Sequence, residues 1–180
     1  RMLILRPVAR DDLTDLMSLA RLLDSMNLPD DHDFLAARID ASLASFSDPT
    51  LPRPRASYVF VLEDTARGRV VGTSMILAKH GSPEAPHYWL ELSAEERSSI
   101  DLARRFVHPK LRLRSSDDGP TEIGGIVLDA AYRGHVRKCG KALSVVRFAY
   151  ISAHPERFER EVIAEMLSPF EADGSSALWD

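Results

Sequence analysis

Apolar positions in the first part of the chain occur first as a run and then at helical spacing. The apolar run at residues 2–5, stopped by Arg6 and Pro7, predicts a first strand. Asp11 and Asp12 then predict the N-terminus of a helix. Its apolar positions recur every three or four residues, at Leu13, Leu16, Met17, Ala20 and Leu23. The same spacing predicts a second amphipathic helix in residues 35–46.

The middle of the chain is richer in β-branched residues. Two such runs, residues 58–62 and 70–77, flank turn-forming residues and predict an antiparallel hairpin. Further strands are predicted at residues 87–92 and 107–113. Between them, Ser93-Ala94-Glu95-Glu96 matches a capping box, which predicts the start of a short helix.

The last third of the chain alternates strand and helix patterns again. Residues 122–129 predict a strand with a glycine pair inside it, and glycine there indicates a bulge or a close backbone approach. Residues 142–151 are apolar nearly all round, which predicts a buried helix. Residues 162–167 predict one more strand, and residues 175–180 predict the first turn of another helix. Together these elements predict an α/β domain.

Composition narrows the possible functions. The 180 residues are 44% hydrophobic and have a net charge of −4, which argues against a nucleic-acid binder with a broad basic surface. Cys139 is the one cysteine, so a disulfide framework and a cysteine zinc site are excluded, and we expect Cys139 to be a small loop residue. His80 and His87 lack a spaced carboxylate, so no metal is expected. The sequence has no bilayer-spanning apolar run and no signal-peptide pattern, and the expected location is the cytoplasm.

The loop between the glycine-bearing strand and the predicted buried helix combines glycines with cations. A helix N-terminus presents backbone N–H groups and a positive dipole end, which suits an anion such as a pyrophosphate. The residues expected to hold it are Arg133, Arg137, Lys138, Gly140, Lys141 and Ala142. The strand would add unpaired backbone groups for the pantetheine arm of coenzyme A. The alternative interpretation is a solvated basic loop that caps a core helix.

Residues 137–142, Arg-Lys-Cys-Gly-Lys-Ala, resemble the acyl-CoA loop of the GNAT N-acyltransferase superfamily. That loop has Arg or Gln, two residues, Gly, one residue, and then Gly or Ala. Most of the chain also resembles the arginine N-succinyltransferase family, and residues 118–134 and 162–166 carry the most specific part of the match. The resemblance implies a single α/β GNAT-like domain over residues 1–180, with a mixed central sheet flanked by helices.

The resemblance also implies a reaction. The family transfers a succinyl group from succinyl-CoA to the α-amine of arginine, in arginine catabolism. By position, its strand residue that contacts succinyl-CoA falls on Ile126, and Val127 and Leu128 continue that strand. The family's proton-donating histidine lies beyond residue 180 and its members are longer, so the resemblance implies a domain truncated at its C-terminus.

Attack of an amine on a thioester requires loss of a proton from the ammonium, polarisation of the carbonyl and departure of the thiolate. A backbone N–H near Ile126 or Val127 is the candidate for polarising the carbonyl. Glu122 is a candidate general base acting through water, and the alternatives are a strand-end carboxylate that faces solvent or one that helps to bind the substrate's cationic groups. Glu165 either recognises a guanidinium or points outward from its strand.

Two other functions stay open at this point. One is a GNAT N-acyltransferase that uses acetyl-CoA on a different amine. The other is a noncatalytic subunit that binds acyl-CoA or an amino acid within a homo- or hetero-oligomer. A histidine-bearing segment after Asp180 in the full gene product would distinguish an enzyme from such a subunit.

Overall fold

The computed structural model describes residues 2–22, 28–99, 104–166 and 175. Its helices and strands, in chain order, are β1 (Leu3–Pro7), α1 (Leu13–Ala20), α2 (His32–Ser47), β2 (Ser57–Asp64), β3 (Arg69–Leu77), β4 (His87–Ser99), β5 (Arg104–Ser116), β6 (Thr121–Leu128), α3 (Cys139–Ala153) and β7 (Val162–Ile163). They form two compact units. The larger unit takes the chain up to Lys79 and from Pro120 onward, and the smaller unit takes His80–Gly119.

The larger unit contains a five-stranded sheet in the order β1-β2-β3-β6-β7. The first four strands are antiparallel to their neighbours, and β7 runs parallel to β6. Side chains of a strand alternate between the two faces of its sheet, and β2 has apolar residues on both faces. Val59 and Val61 join a core with α1 and α2, whereas Tyr58 and Phe60 join a core on the face that α3 covers. The predicted mixed sheet flanked by helices is therefore confirmed.

The two N-terminal helices form where the apolar spacing predicts them. Leu16 and Leu19 of α1 and Leu35 and Ile39 of α2 are buried, and burying each such side chain contributes about 1.5–3 kcal/mol. Asp31 caps α2, because its carboxylate accepts a hydrogen bond from the N–H of the third helical residue at 2.9 Å. Position 23, which the same pattern assigned to α1, lies outside the described residues.

Two small polar residues fasten α2 to the neighbouring strand. The hydroxyl of Ser42 accepts a hydrogen bond from the N–H of Val59 at 2.9 Å, and that of Ser45 accepts one from the N–H of Ser57 at 3.0 Å. Both serine side chains are fully buried. Because serine is short, these positions let α2 lie close to β2 while its buried hydroxyls stay hydrogen-bonded.

The smaller unit is built around a long antiparallel hairpin of β4 and β5. The register runs continuously from the pair His87–Ser116 to the pair Ser99–Arg104. The predicted strands are confirmed and are longer than predicted. The short helix predicted at residues 93–96 is wrong, because these residues lie inside β4, where backbone pairing with β5 replaces the local hydrogen bonds of a capping box.

Three expectations for the last third of the chain need correction. α3 buries only the stripe of Cys139, Leu143 and Arg147, because one side of the helix packs on the sheet and the other, including Phe148, is exposed. Cys139 is therefore not a loop residue but the buried first residue of α3. β7 is two residues long, because only Val162 and Ile163 pair with β6, and residues 164–166 are exposed outside it. Residue 167 and the helical turn predicted at 175–180 lie outside the described residues, apart from position 175.

Candidate functional site

Strand β6 contains the bulge that its glycine pair predicts. Its pairing with β3 shifts between Gly124 and Val127, because β6 has one residue more than β3 in that interval. Gly125 adopts a φ of +57°, which favours glycine. A Cβ there would lie 2.6 Å from the sulfur of Met75. The bulge resets the alternation, so that Ile126 is exposed and Val127 is buried.

The other edge of β6 pairs with β7 over a short distance only. Thr121 pairs with Val162 and Glu122 with Ile163, and β7 ends there. The bulge and the rest of β6 continue past this pairing toward the cationic loop. Backbone N–H and C=O groups along such an edge can pair with the amides of an extended ligand, as they do in strand addition.

The loop after β6 is shaped to start α3 abruptly. Gly134 has a φ of +69°, and Lys138, the residue directly before α3, has a φ of +50°. The first helical hydrogen bond runs from the N–H of Ala142 to the carbonyl of Lys138 at 3.0 Å. The N–H groups of the preceding three residues therefore lie in the first turn, where a helix has no acceptor of its own to offer them.

An open cavity of about 400 Å³ lies at this helix start. Its lining residues are Tyr132, Gly134, His135, Val136, Lys138, Cys139, Gly140 and Lys141. Two lysines, two glycines and the start of α3 thus line one cavity. This combination suits a phosphate or pyrophosphate group.

Of the predicted cofactor residues, the structure brings Lys138, Gly140 and Lys141 together around the cavity. Arg133 is not among the residues that line it, and its Nε donates to the carbonyl of Leu128 at 3.3 Å, which ties the loop to the end of β6. The remaining predicted residues lie outside this lining. Ile126 and Val127 belong to β6 and Ala142 to α3, whereas Arg137 lines a second cavity. Contact of these residues with an acyl donor stays a prediction.

A buried hydrogen bond anchors the loop, and it was not predicted. The hydroxyl of Tyr132 donates to Oδ2 of Asp64 at 2.5 Å, and both side chains are buried. This bond raises the pKa of Tyr132 above its ordinary value. The guanidinium of Arg67 lies 5.9 Å from the centre of the Tyr132 ring and 3.9 Å from the Asp64 carboxylate. The loop is thereby fixed to the β2–β3 turn.

The second cavity, of about 310 Å³, lies over this anchor and includes Asp64, Arg67, Tyr132 and Arg137 among its lining residues. Tyr132 lines both cavities, so the side chain that anchors the loop also contributes to the surface of each of them. Substitutions at Tyr132 are therefore expected to act on the shape of both.

The carboxylates named from the sequence have different surroundings. Glu122 is buried rather than facing solvent, so that alternative is wrong, and its proposed role as a base stays untested. Its negative charge acts on Arg38 of α2, whose pKa is lowered by burial. Glu165 is exposed and lies after β7. The rings of His80 and His87 lie 5.3 Å apart, and no three His, Cys, Asp or Glu residues within the described parts of the chain are placed to hold a metal ion.

Comparison with known families decides what this fold and site belong to. The family described as "Arginine N-succinyltransferase beta subunit" (AstA) matches residues 3–180. The chain belongs to this family. The predicted membership is therefore confirmed, and it covers both compact units.

Relatives in the family are longer than this chain. The arginine N-succinyltransferase of Yersinia enterocolitica is 35% identical over 181 aligned residues, which cover 99% of this chain and 51% of the relative. A solved structure of the arginine/ornithine succinyltransferase subunit AI from Pseudomonas aeruginosa is 31% identical, with a TM-score of 0.86, and the match covers 99% of this chain and 54% of that one. The chain thus spans about half the length of the relatives it matches.

A more distant match shows the wider fold. The loading GNATL domain of CurA from Lyngbya majuscula is 18% identical, with a TM-score of 0.52, over 94% of this chain and 67% of that one. The AstA-family chain therefore has the GNAT fold that its loop motif predicted. In the described parts of the chain, the helices lack the length and apolar content needed to cross a membrane.

Proposed function

We propose that this AstA-family chain binds the acyl donor of an arginine N-succinyltransferase, which transfers succinyl from succinyl-CoA to the α-amine of arginine. The observation that carries the proposal is the continuity between the bulged edge of β6 and the cation-lined cavity at the start of α3. An extended amide arm on the edge and a pyrophosphate in the cavity are adjoining parts of a coenzyme A thioester. The choice of succinyl as the acyl group and of arginine as the acceptor rests on the names of the relatives.

The proposed chemistry is direct transfer. The α-amine nitrogen, after losing a proton from its ammonium form, attacks the thioester carbonyl, a C–N bond forms, and the C–S bond breaks to release the CoA thiolate, which takes up a proton. A backbone N–H at the bulge, near Ile126 or Val127, would stabilise the negative charge that develops on the carbonyl oxygen. Glu122, buried at the start of β6, is the candidate that accepts the ammonium proton through water.

Lys138 and Lys141 would hold the pyrophosphate together with the first N–H groups of α3. Arg133 would act indirectly, by keeping the loop against the end of β6, and Arg137 would meet the donor beyond the pyrophosphate. The small side chain of Ala142 would keep the first turn of α3 accessible. The proposal includes a cytoplasmic location, one GNAT-like domain made of both units, and assembly with further chains.

A second function has a specific observation in its favour. The matching family is described as a beta subunit, so we also propose, as the alternative, a subunit that binds acyl-CoA and leaves catalysis to another chain. Use of acetyl-CoA in place of succinyl-CoA is the alternative within the enzymes. These functions differ in which acyl-CoA binds to the chain and in whether the addition of arginine then releases the free thiol of CoA.

The test combines donor binding with thiol release. Calorimetric titration with succinyl-CoA, acetyl-CoA and free CoA measures the affinities, and a thiol reagent measures the CoA released after arginine or ornithine is added. We expect succinyl-CoA to bind more tightly than acetyl-CoA, and arginine to accelerate thiol release. Binding without release would support the subunit function. Absence of binding to any of the three would contradict donor binding by this chain.

A pair of lysine variants locates the binding. Lys141→Ala removes a charge from the cavity and is expected to weaken CoA binding about tenfold, the effect of losing about 1.4 kcal/mol. Lys110→Ala removes a lysine from β5 in the smaller unit and serves as the matched control. Equal affinities of the two variants would place the pyrophosphate elsewhere.

A further inference from the structure

The β4–β5 hairpin carries an apolar face on its surface. Residues opposite each other in an antiparallel pair share a face, as do alternate residues along each strand. One face consists of Tyr88, Leu90, Leu92 and Ala94 of β4 and of Val107, Pro109, Leu111 and Leu113 of β5. Two leucine pairs, Leu90–Leu113 and Leu92–Leu111, occupy adjacent rungs at its centre. We call this set the leucine face.

The opposite face of the same hairpin is polar. Glu91 of this face forms an ion pair with Arg114 at 2.8 Å, and Glu95 forms one with Lys110 at 3.4 Å. The leucine face carries no charged residue from Tyr88 to Ala94 on β4 and from Val107 to Leu113 on β5. The charges that share it, Glu96 and Arg105, pair with each other at one end of the leucine face, where Glu96 lies opposite Val107. The charges at the centre of the hairpin thus lie on the opposite face, which also holds Trp89 and Phe106, while the centre of the leucine face is apolar.

The exposure of the leucine face is large for a surface patch. Leu92, Leu111 and Leu113 are 71%, 63% and 66% exposed, and Leu90 is 52% exposed. Together with Tyr88 and Val107, the four leucines present on the order of 700 Å² of surface, above the few hundred Å² at which a contiguous apolar patch marks an interaction site. A two-stranded hairpin in water is also only marginally stable by itself. A partner on this face would supply the missing second layer.

We propose that the leucine face is a homodimer interface, on which the same face of a second copy of this chain packs. Its area is close to the roughly 800 Å² per partner that a stable interface buries. A two-fold contact places identical patches together, so the patch must complement itself. The leucine face meets this requirement, because two copies would bring leucine against leucine without burying a charge. A nucleic acid or a charged peptide would find no countercharge in the apolar region.

Sedimentation equilibrium of the full chain provides the first test. It compares two variants that introduce the same residue at neighbouring positions, one on each face of the hairpin. Leu92→Glu places a carboxylate in the leucine face, whereas Ser93→Glu places it on the polar face opposite Lys110. We expect the unmodified chain and Ser93→Glu to have a mass near twice 20.1 kDa. For Leu92→Glu we expect the dimer dissociation constant to rise roughly 100-fold or more, because dimerisation would bury an unpaired charge.

Cross-linking provides a second test that does not depend on a disruptive substitution. The native Cys139 is buried, so a cysteine introduced on the hairpin is the accessible thiol for a bismaleimide. Leu92→Cys is expected to give a cross-linked dimer, and Ser93→Cys is not. A monomeric unmodified chain would overturn the proposal. Equal dimerisation of Leu92→Glu and Ser93→Glu, together with equal cross-linking of Leu92→Cys and Ser93→Cys, would also overturn it. Circular dichroism and CoA titration of the same variants show whether the larger unit stays folded, so this outcome is separate from any failure of the proposed function.

Discussion

Leu62 of β2 and Leu113 of β5 are both leucines in the interior of an antiparallel strand pair, but the first is 3% exposed and the second is 66% exposed. The difference comes from the layers around the strands. β2 lies between α3 on one face and α1 and α2 on the other, whereas no third strand pairs with the described residues of the β4–β5 hairpin. Alternation of apolar and polar residues selects the face of a strand, but a second layer is required to bury it.

The largest expected effect compares these two leucines directly. Leu62→Ala is expected to lower the free energy of unfolding by about 2–5 kcal/mol, because it removes apolar contacts and leaves a cavity in a packed core. Leu113→Ala is expected to change it by about 0.5 kcal/mol or less under conditions where the chain is monomeric. Urea unfolding followed by circular dichroism measures both. Similar losses for the two variants would mean that the leucine face is covered even in the monomer.

A tyrosine pair sharpens the same comparison for polar groups. Tyr132→Phe removes the donor to the buried carboxylate of Asp64 and is expected to cost about 1–3 kcal/mol of stability. Because the bond anchors the loop, this variant should also bind CoA more weakly. Tyr88→Phe removes a hydroxyl from an exposed ring and should leave both properties unchanged. A loss of stability without a loss of CoA affinity would show that the anchor has no role in shaping the cavity.

The pH dependence of Tyr132 follows from the direction of its pKa shift. The bond to Asp64 raises the pKa of Tyr132 in the folded chain, so the folded state holds this proton more tightly than the unfolded state does. Its contribution is complete below the unfolded pKa of about 10 and decreases as the pH rises through the folded pKa. The stability difference between the unmodified chain and Tyr132→Phe should therefore shrink above about pH 10. A difference that stays constant into strong alkali would contradict the assignment.

The smallest expected effect concerns the polar face of the hairpin. Glu91 and Arg114 are both roughly half exposed, and ion pairs of this kind contribute about 0–1 kcal/mol. Glu91→Gln is therefore expected to change the unfolding free energy by no more than that, and the change should disappear at high salt. A double-mutant cycle with Arg114→Gln, run at low and high ionic strength, measures the coupling. Strong coupling that persists in salt would indicate that this face too is covered.

Much of the fold could be predicted because its signals are local and repeated. The spacing of Leu35 and Ile39 predicts a helix face wherever the helix packs, and the glycine pair predicts a bulge that the register confirms at Gly125. The helix predicted at residues 93–96 failed because a four-residue capping motif is a weaker signal than the strand pairing available on both sides of it. Exposure on α3 was missed because apolar content does not reveal which sides of a helix have neighbours.

The site was predicted less completely for a related reason. Lys138, Gly140 and Lys141 are close in sequence, so one motif brings them to one cavity. Asp64 and Tyr132 are 68 residues apart, and no spacing rule connects them before the strands are paired. The burial of Glu122 also depends on which elements lie above β6, which a single strand pattern does not contain.

The bulge at Gly125 has a consequence for the chain without a ligand. A strand edge that offers N–H and C=O groups to a pantetheine arm offers the same groups to a strand from another molecule, and such edges promote aggregation. A bulge bends and twists the strand, so that a straight second strand cannot follow it for many residues. The left-handed glycine that makes the bulge in β6 is therefore expected to protect this edge, which is unpaired past Glu122 among the described residues, from other protein chains.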